Sequence, residues 1–258
     1  MGVNIHSTAI VHSKAKLGEG VEIGPGVIIG EKVKLGDRTK IGPYAVIEGW
    51  TSLGENCQIF TGAVLGTECQ DFKFKGERSY LKIGKNNIIR EYVTINRATG
   101  EEEATLVGDN NLFMTYCHVA HNCKIGNHNI LANAIAMAGH VTIMDHTNIG
   151  GLNALHQYIR IGSYAMIGGH SRVPKDIPPY IMCAGSPLRI AGINRLGLQR
   201  KGFSKEQFKV IERVYRILYR SKLNISQALA KLEKEESQHE EIISVIEFIR
   251  NSERGIAK

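Results

Sequence analysis

The sequence predicts a mainly β protein, a parallel β-helix followed by a small α-helical segment, and three observations carry that prediction. Apolar residues recur at every sixth position from Ile5 to Val173, filling 26 of 29 stepped positions. Glycine follows 13 of those 26, as in "LGEG", "IGPG" and "IGSY", where a chain turning a corner needs positive φ or lacks room for a Cβ. After Val173 the period stops and helical patterning takes over. Neither an α-helix, with about 3.6 residues per turn, nor an alternating strand produces a period of six. A coil of short strands, each burying one aliphatic before a corner, does. A β-sandwich rich in Val and Ile is set aside, because its strands keep no fixed register over so long a stretch.

The elements follow in order. Ile5 to Leu65 is an unbroken run of coils. The polar stretch "TECQDFKFKGERSYLK" (67–82) interrupts it, with Asp71 and Glu77 on the ruler where aliphatics belong. Ile83, Ile89 and Ile95 resume the period before "NRATGEEEATL" (96–106), where Glu101 breaks it again. Both interruptions read as loops thrown out from the coils, where a rigid scaffold carries its binding residues. From Val107 to Val173 the period is again complete, and "PKDIPPYIMCAGSP" then leads out of the solenoid. The expected division is a β-helix over 1–185 and a helical domain over 186–258. Ser204 and Gln207 form a capping box opening a helix whose buried face is Phe208, Ile211, Tyr215 and Leu218. A second helix is expected from Ser226 to about Glu236 and a third from Glu240 to Ser252. These helices would close the last coil, which otherwise exposes a sheet edge.

Composition narrows the setting. The five cysteines are odd in number and include no C-x-x-C pair, which argues against an oxidised framework and for a reducing compartment. With no signal-peptide pattern and no long apolar run, a cytoplasmic protein without a membrane span is expected. The net charge of +7 is concentrated between Arg189 and Lys222, where ten Lys or Arg face only Glu206 and Glu212. Lys209, Arg213, Arg216 and Arg220 fall on one helix stripe, suited to an acidic macromolecule.

The ordered motifs "QDFKFKGE", "IREYVTI", "HVAHNCKIGN", "LANAIAMAGHV", "GGLNALHQY", "IGSYAMIGG", "DIPPY" and "GINRLGLQRKGF" resemble the UDP-N-acetylglucosamine acyltransferases of lipid A biosynthesis over nearly the whole chain. The resemblance implies a left-handed parallel β-helix of hexapeptide repeats, assembled as a homotrimer with sites at subunit interfaces. It implies transfer of a 3-hydroxyacyl group from acyl carrier protein to the 3-hydroxyl of the sugar. No cofactor is implied beyond the carrier's own phosphopantetheine. His121 would be the general base and the Gly139 backbone N–H the oxyanion donor. Gln70, Asp71, Lys73, His118, His140, His156, Gln157, Asn194, Arg200 and Lys201 match substrate-binding positions. Met166, Gly169 and His170 fall where the family measures acyl length, and the basic stripe would receive the carrier. The family often has Asp after the base, whereas this chain has Asn122.

In that family three hexads make one coil, so residues 18 apart should stack. His121, Gly139 and Gln157 then share a column. The same arithmetic answers the zinc reading that "YCHVAHNCKIG" (116–126) invites. Cys117 and Cys123 fall on different faces, with Thr99 or Ile135 stacked on the first and Thr105 or Val141 on the second, so no metal is expected. The zinc-binding carbonic anhydrases of the same fold use His-x4-His, against His-x2-His here. No cysteine nucleophile is needed either, because a thioester is already activated and a base suffices. Two other readings stay open: N-acylation, either of a 3-amino nucleotide sugar or by the later lipid A enzyme, and a non-catalytic solenoid binding an acidic partner. The later enzyme has a domain ahead of its coils, and the repeat here begins at residue 5. Nucleic acid is not expected as the partner.

Overall fold

A computed structural model describes residues 2–236 and 239–258. Short strands, of two residues except for the four-residue Trp50–Leu53, Tyr80–Ile83 and Ala104–Val107, stack into three parallel sheets that form the walls of a left-handed β-helix. The first sheet runs from Asn4–Ile5 to Met166–Ile167, the second from Ile10–Val11 to Arg172–Val173, and the third from Lys16–Leu17 to Arg160–Ile161. In each of these strands the last residue, the one on the six-residue ruler, points inward. Ile29, Ile47, Leu65, Ile95, Leu131 and Ile167 are all buried. Full burial of each such side chain contributes roughly 1.5–3 kcal/mol. The wall repeats this gain every coil, about 4.8 Å apart.

The corners separate two tasks that the sequence had merged. Glycines directly after the ruler position are needed for room: a Cβ on Gly36 would lie 2.5 Å from the Gly54 carbonyl carbon, and one on Gly54 2.6 Å from that of Gly84. The left-handed residue comes later in the corner and is usually not glycine, as at Tyr116 (φ 65°), Asn122 (57°), His140 (60°) and Tyr158 (63°). For an L-residue that conformation costs roughly 1–2 kcal/mol. Backbone hydrogen bonds to the coil below offset it, such as His140 N–H to His121 O at 3.0 Å and Tyr158 N–H to Gly139 O at 3.2 Å.

Stacking of residues 18 apart holds where coils are regular, as in Lys40↔Gln58 and His118↔Ala136. It fails across the interruptions. Gln58 stacks on Ile88, Thr94 on His118 and Ile88 on Leu112, so the steps there are larger than one regular coil. Both insertions add whole multiples of six, which preserves the ruler while shifting the stack. Cys117 therefore neighbours Val93, each lying one residue before the Thr94↔His118 pair, and not the expected Thr99. Both loops also end sooner than the sequence suggests. Tyr80–Ile83 and Ala104–Val107 are strands of the third sheet, paired with each other, because their alternating side chains suit a wall buried on one face.

Beyond Val173 the solenoid continues without its ruler. Ile181–Ala184 extends the first sheet and pairs antiparallel with Arg189–Ile193, so sheet runs past residue 185. A short helix that the sequence did not suggest follows, α1 (Arg195–Arg200), then α2 (Lys205–Arg220), α3 (Ile225–Glu236) and α4 (Glu240–Arg250). The Ser204 capping box is present in both directions. The buried face of α2 is broader than expected: Val210, Val214 and Ile217 join Ile211 and Leu218, while Phe208 and Tyr215 are half-buried, because α2 packs against α3, α4 and Arg189–Ile193 together. The end of the prism is closed partly by the C-terminal tail. Ile256 bridges to Asp176, and Ala257 enters the solenoid core with Tyr215 and Tyr219 against it.

Candidate active site

Three edges join the three sheets, and the expected site residues are distributed over all of them. His121 and Asn122 form a corner between the second and third sheets, directly after His118–Val119. Gly139 and His140 form the corner above, and Gln157 and Tyr158 the next. Both loops leave the prism from this same edge, one and two coils below His121. The shared column is thus present, with the loops added beneath it.

The imidazole of His121 lies against Gly139. A Cβ built on Gly139 would meet the ring at 2.6 Å from both Cε1 and Nε2, so only glycine leaves the ring its place. On either side of Gly139, Ala138 N–H donates to Leu155 O and His140 N–H to His121 O. The Gly139 N–H between them has no hydrogen-bond partner among the described residues. A donor so placed is suited to an incoming oxyanion. On its other side the His121 ring has Nδ1 2.9 Å from Asn122 Oδ1, while Nε2 stands 3.8 Å from Asp71 Oδ2 on the first loop. Asp71 also shapes its own loop by accepting from Lys73 N–H at 2.9 Å. Gln70 and Lys73 are exposed beside it.

Three more histidines line the edge. His140 packs edge-on against His121, with centroids 5.2 Å apart, and stacks on Tyr158 at 4.5 Å. Burial, with the nearby His121, holds the His140 imidazole below its usual range. His118 faces outward from the second sheet with Nδ1 2.7 Å from Thr94 Oγ1, and burial lowers its pKa too. His156, at the end of Ala154–Leu155, has Nδ1 3.1 Å from the carbonyl of Gln157.

The remaining candidates lie elsewhere on the chain. Asn194 is buried at the edge between the third and first sheets, where its Oδ1 caps α1 by accepting from Gly197 N–H and its Nδ2 donates to Tyr164 O. Arg200 closes α1, and Lys201 follows it near His146, whose imidazole is held low by burial and then by the Lys201 charge. Gly169 and His170 form a corner of the edge between the first and second sheets, and Met166 lies in the first sheet just before them. In α2, Arg213, Arg216 and Arg220 line a hollow of about 570 Å³ with Lys231 of α3. Lys209 is exposed on the same helix.

The cysteines turn inward. Cys117 Sγ lies 2.9 Å from Ala132 O and Cys123 Sγ 3.2 Å from Ala138 O, where burial raises both thiol pKa values, that of Cys123 to about 12. Among the described residues no three His, Cys, Asp or Glu converge as a metal site would require. No helix among them is long and apolar enough to cross a membrane.

Several residues that build this site carried no motif of their own. Arg97, buried in the second loop, lies over Phe74 at 5.1 Å and Trp50 at 5.7 Å, and it reaches Glu68 at 3.4 Å, joining the two loops. Thr99 contacts Asn122, and Glu77 holds Thr99. Glu77 ends the motif "QDFKFKGE" and stands, charged, at a ruler position, and neither signal said what it holds.

Residues 176–257 match the family model for UDP-N-acetylglucosamine O-acyltransferase, domain 2. The chain is 48% identical over 255 residues to the acyl-(acyl-carrier-protein)–UDP-N-acetylglucosamine O-acyltransferase of Thermodesulfovibrio yellowstonii, covering 98% of this chain and 99% of that one. It is 49% identical to the Helicobacter pylori enzyme of the same name over 98% of this chain and 94% of that one. Among solved structures, the UDP-N-acetylglucosamine acyltransferase of Bacteroides fragilis superposes with a TM-score of 0.95 at 48% identity, covering 98% of this chain and 100% of that one. That of Arabidopsis superposes with 0.86 at 38% identity, covering 98% and 100%. With relatives this similar over nearly its full length, the chain belongs to the acyl-(acyl-carrier-protein)–UDP-N-acetylglucosamine O-acyltransferase family.

Proposed function

We propose that the protein transfers a 3-hydroxyacyl chain from acyl carrier protein to the 3-hydroxyl of UDP-N-acetylglucosamine, the first step of lipid A biosynthesis. The observation that carries the mechanism is the His121 ring lodged beneath Gly139 with an unpartnered N–H above it. In this reading His121 Nε2 takes the proton of the sugar hydroxyl as that oxygen attacks the thioester carbon. The Gly139 N–H stabilises the oxyanion of the tetrahedral intermediate. The carbonyl then re-forms, the pantetheine thiolate leaves, and the proton held on His121 neutralises it. Asp71, close to Nε2, is placed to hold the acceptor hydroxyl in line.

The site is completed by a second copy in a homotrimer. His121 sits on one edge of the prism, while Asn194, Arg200 and Lys201 lie on another and Gly169 and His170 on the third. A single prism cannot bring its own edges together. Apolar residues on the outward faces of the first two sheets support the assembly: Ile88, Leu112 and Ile130 on the first, Ile10, Ile28, Val46 and Val64 on the second. The outward face of the third carries Lys16, Lys34, Lys82 and Lys124 instead. The neighbouring copy would supply Arg200 and Lys201 to the diphosphate, and the hollow in α2 would receive the acidic carrier. A cytoplasmic location follows from this use of the carrier.

Mass spectrometry of products from purified protein, offered several acyl carriers with the 3-hydroxy and the 3-amino nucleotide sugars, tests the reading. Acylation of UDP-N-acetylglucosamine at the 3-oxygen is expected. Transfer to the amino sugar alone would replace O-acylation by N-acylation, and no transfer at all would leave a binding solenoid.

A further inference from the structure

The two loops that leave the prism beneath His121 are tied to its ring through one side chain. The Asn122 carboxamide meets the backbone of Thr99 at two points: Oδ1 accepts from Thr99 N–H at 3.0 Å, and Nδ2 donates to Thr99 O at 3.1 Å. Turning the amide over would set donor against donor and acceptor against acceptor, so its orientation is fixed. The same Oδ1 lies 2.9 Å from His121 Nδ1. A carboxamide oxygen only accepts, so Nδ1 carries the hydrogen and Nε2 keeps its lone pair.

Thr99 is itself held from the other loop. Glu77 Oε1 accepts from the Thr99 hydroxyl and from Gly100 N–H, each at 2.7 Å, and Oε2 accepts from Lys75 N–H at 2.7 Å. These donors, Gly100 N–H and Lys75 N–H foremost, hold the Glu77 carboxyl down to about 2, so it stays ionised and accepts only. Asn122 N–H donates to Thr105 Oγ1 at 2.9 Å, which fixes the corner from the third sheet.

We propose that Glu77, Thr99 and Asn122 are positioning residues that hold His121 in the Nδ1–H tautomer and so direct the lone pair of Nε2 at the acceptor. This rests on His121 being the base. A carboxylate at position 122 would orient the ring and attract the imidazolium as well. The neutral amide supplies orientation without charge, so orientation here depends on the loop pair that clamps it.

The test is nitrogen NMR of histidine-labelled protein, at a pH where imidazole is neutral, with kcat and KM measured alongside. The wild-type protein should show His121 protonated at Nδ1 and bare at Nε2. Asn122→Leu should shift it toward Nε2–H. Glu77→Ala should do so in part, lowering kcat about 10- to 100-fold with KM for the nucleotide sugar nearly unchanged, the range typical when a partner behind a functional group is lost. Glu77→Gln, which keeps the Oε1 acceptor, should recover most of the rate. A wild-type His121 protonated at Nε2 overturns the proposal without recourse to any variant. So does a tautomer and kcat unchanged in both Asn122→Leu and Glu77→Ala. Normal turnover by His121→Ala would instead sink the base assignment and leave the tautomer result standing.

Discussion

Two edges of the prism share one backbone and differ in what they carry. At the edge between the first and second sheets the left-handed corners hold Tyr92 (φ 56°), Tyr116 (65°) and Leu152 (59°), and the Tyr92 and Tyr116 rings stack 5.3 Å apart. At the edge between the second and third sheets the equivalent corners hold Asn122 (57°), His140 (60°) and Tyr158 (63°). Tyr116 and Leu152 remain exposed. The His121 corner is roofed by Gly139 and flanked by Asp71 from a loop. A corner of this kind sends its side chain outward and repeats every coil, so it builds a column from any residue placed there. In the proposed mechanism chemistry enters where insertions bring charged side chains to the column. Insertions of six residues or a multiple of it disturb no inward position, which explains how the wall tolerates them.

The largest effect that would sharpen this contrast is expected from His121→Ala, which should lower transfer by about 100- to 10,000-fold, the usual worth of a general base. Circular dichroism and the mass in solution should not change. Near-normal turnover would break the comparison outright. Gly139→Ala should follow, because its Cβ must displace the ring. A fall in kcat of about 100-fold is expected, because the backbone N–H stays but the ring that would take the proton is pushed out of line. Gly24→Ala, whose Cβ would meet Ile41 O at 3.0 Å on a corner without chemistry, should lower Tm and spare kcat. Equal kcat losses from the two substitutions would mean that glycine serves packing alone.

Reversing charge at Arg216 and Arg220 should raise KM for the acyl carrier about tenfold at low salt, with the difference shrinking as salt rises. An unchanged KM assigns the hollow to something else. The smallest effect concerns stability against pH. His118 and His140 have folded pKa values below the ordinary 6.5, so the unfolded chain takes their protons first and stability declines as pH falls below about that value. Glu77 and Glu91, lowered from 4.5 to about 2 by their hydrogen-bond donors, give a second decline between those values. Tm measured from pH 8 to about 3 should fall in these two stages, and His118→Gln should weaken the first.

The solenoid was legible because its signal is one-dimensional: each ruler residue points to the axis whatever its coil, so Ile5 to Val173 could be read without knowing what lies beside what. The column of His121, Gly139 and Gln157 followed from a fixed step and is present. The same step failed at Cys117, where an inserted hexad keeps the ruler but changes the neighbour. The strands Ile181–Ala184 and Arg189–Ile193 escaped notice because they extend the first sheet with an antiparallel turn, which leaves no period to count. The basic stripe of α2 was visible as spacing, whereas Val210, Val214 and Ile217 became core only because three elements pack on that helix.

The sequence by itself determined the coil, its corners, the helical cap and the residue types of the site, since each depends on local spacing or composition. Only the tertiary structure decided that both loops leave the same edge as His121, and that Thr99 and Glu77 set the orientation of Asn122 beside it. The reason is physical. A hydrogen bond is directional and joins groups brought together by folding, so its partners leave no period in the chain, whereas burial of an aliphatic needs only that its turn in the repeat come round.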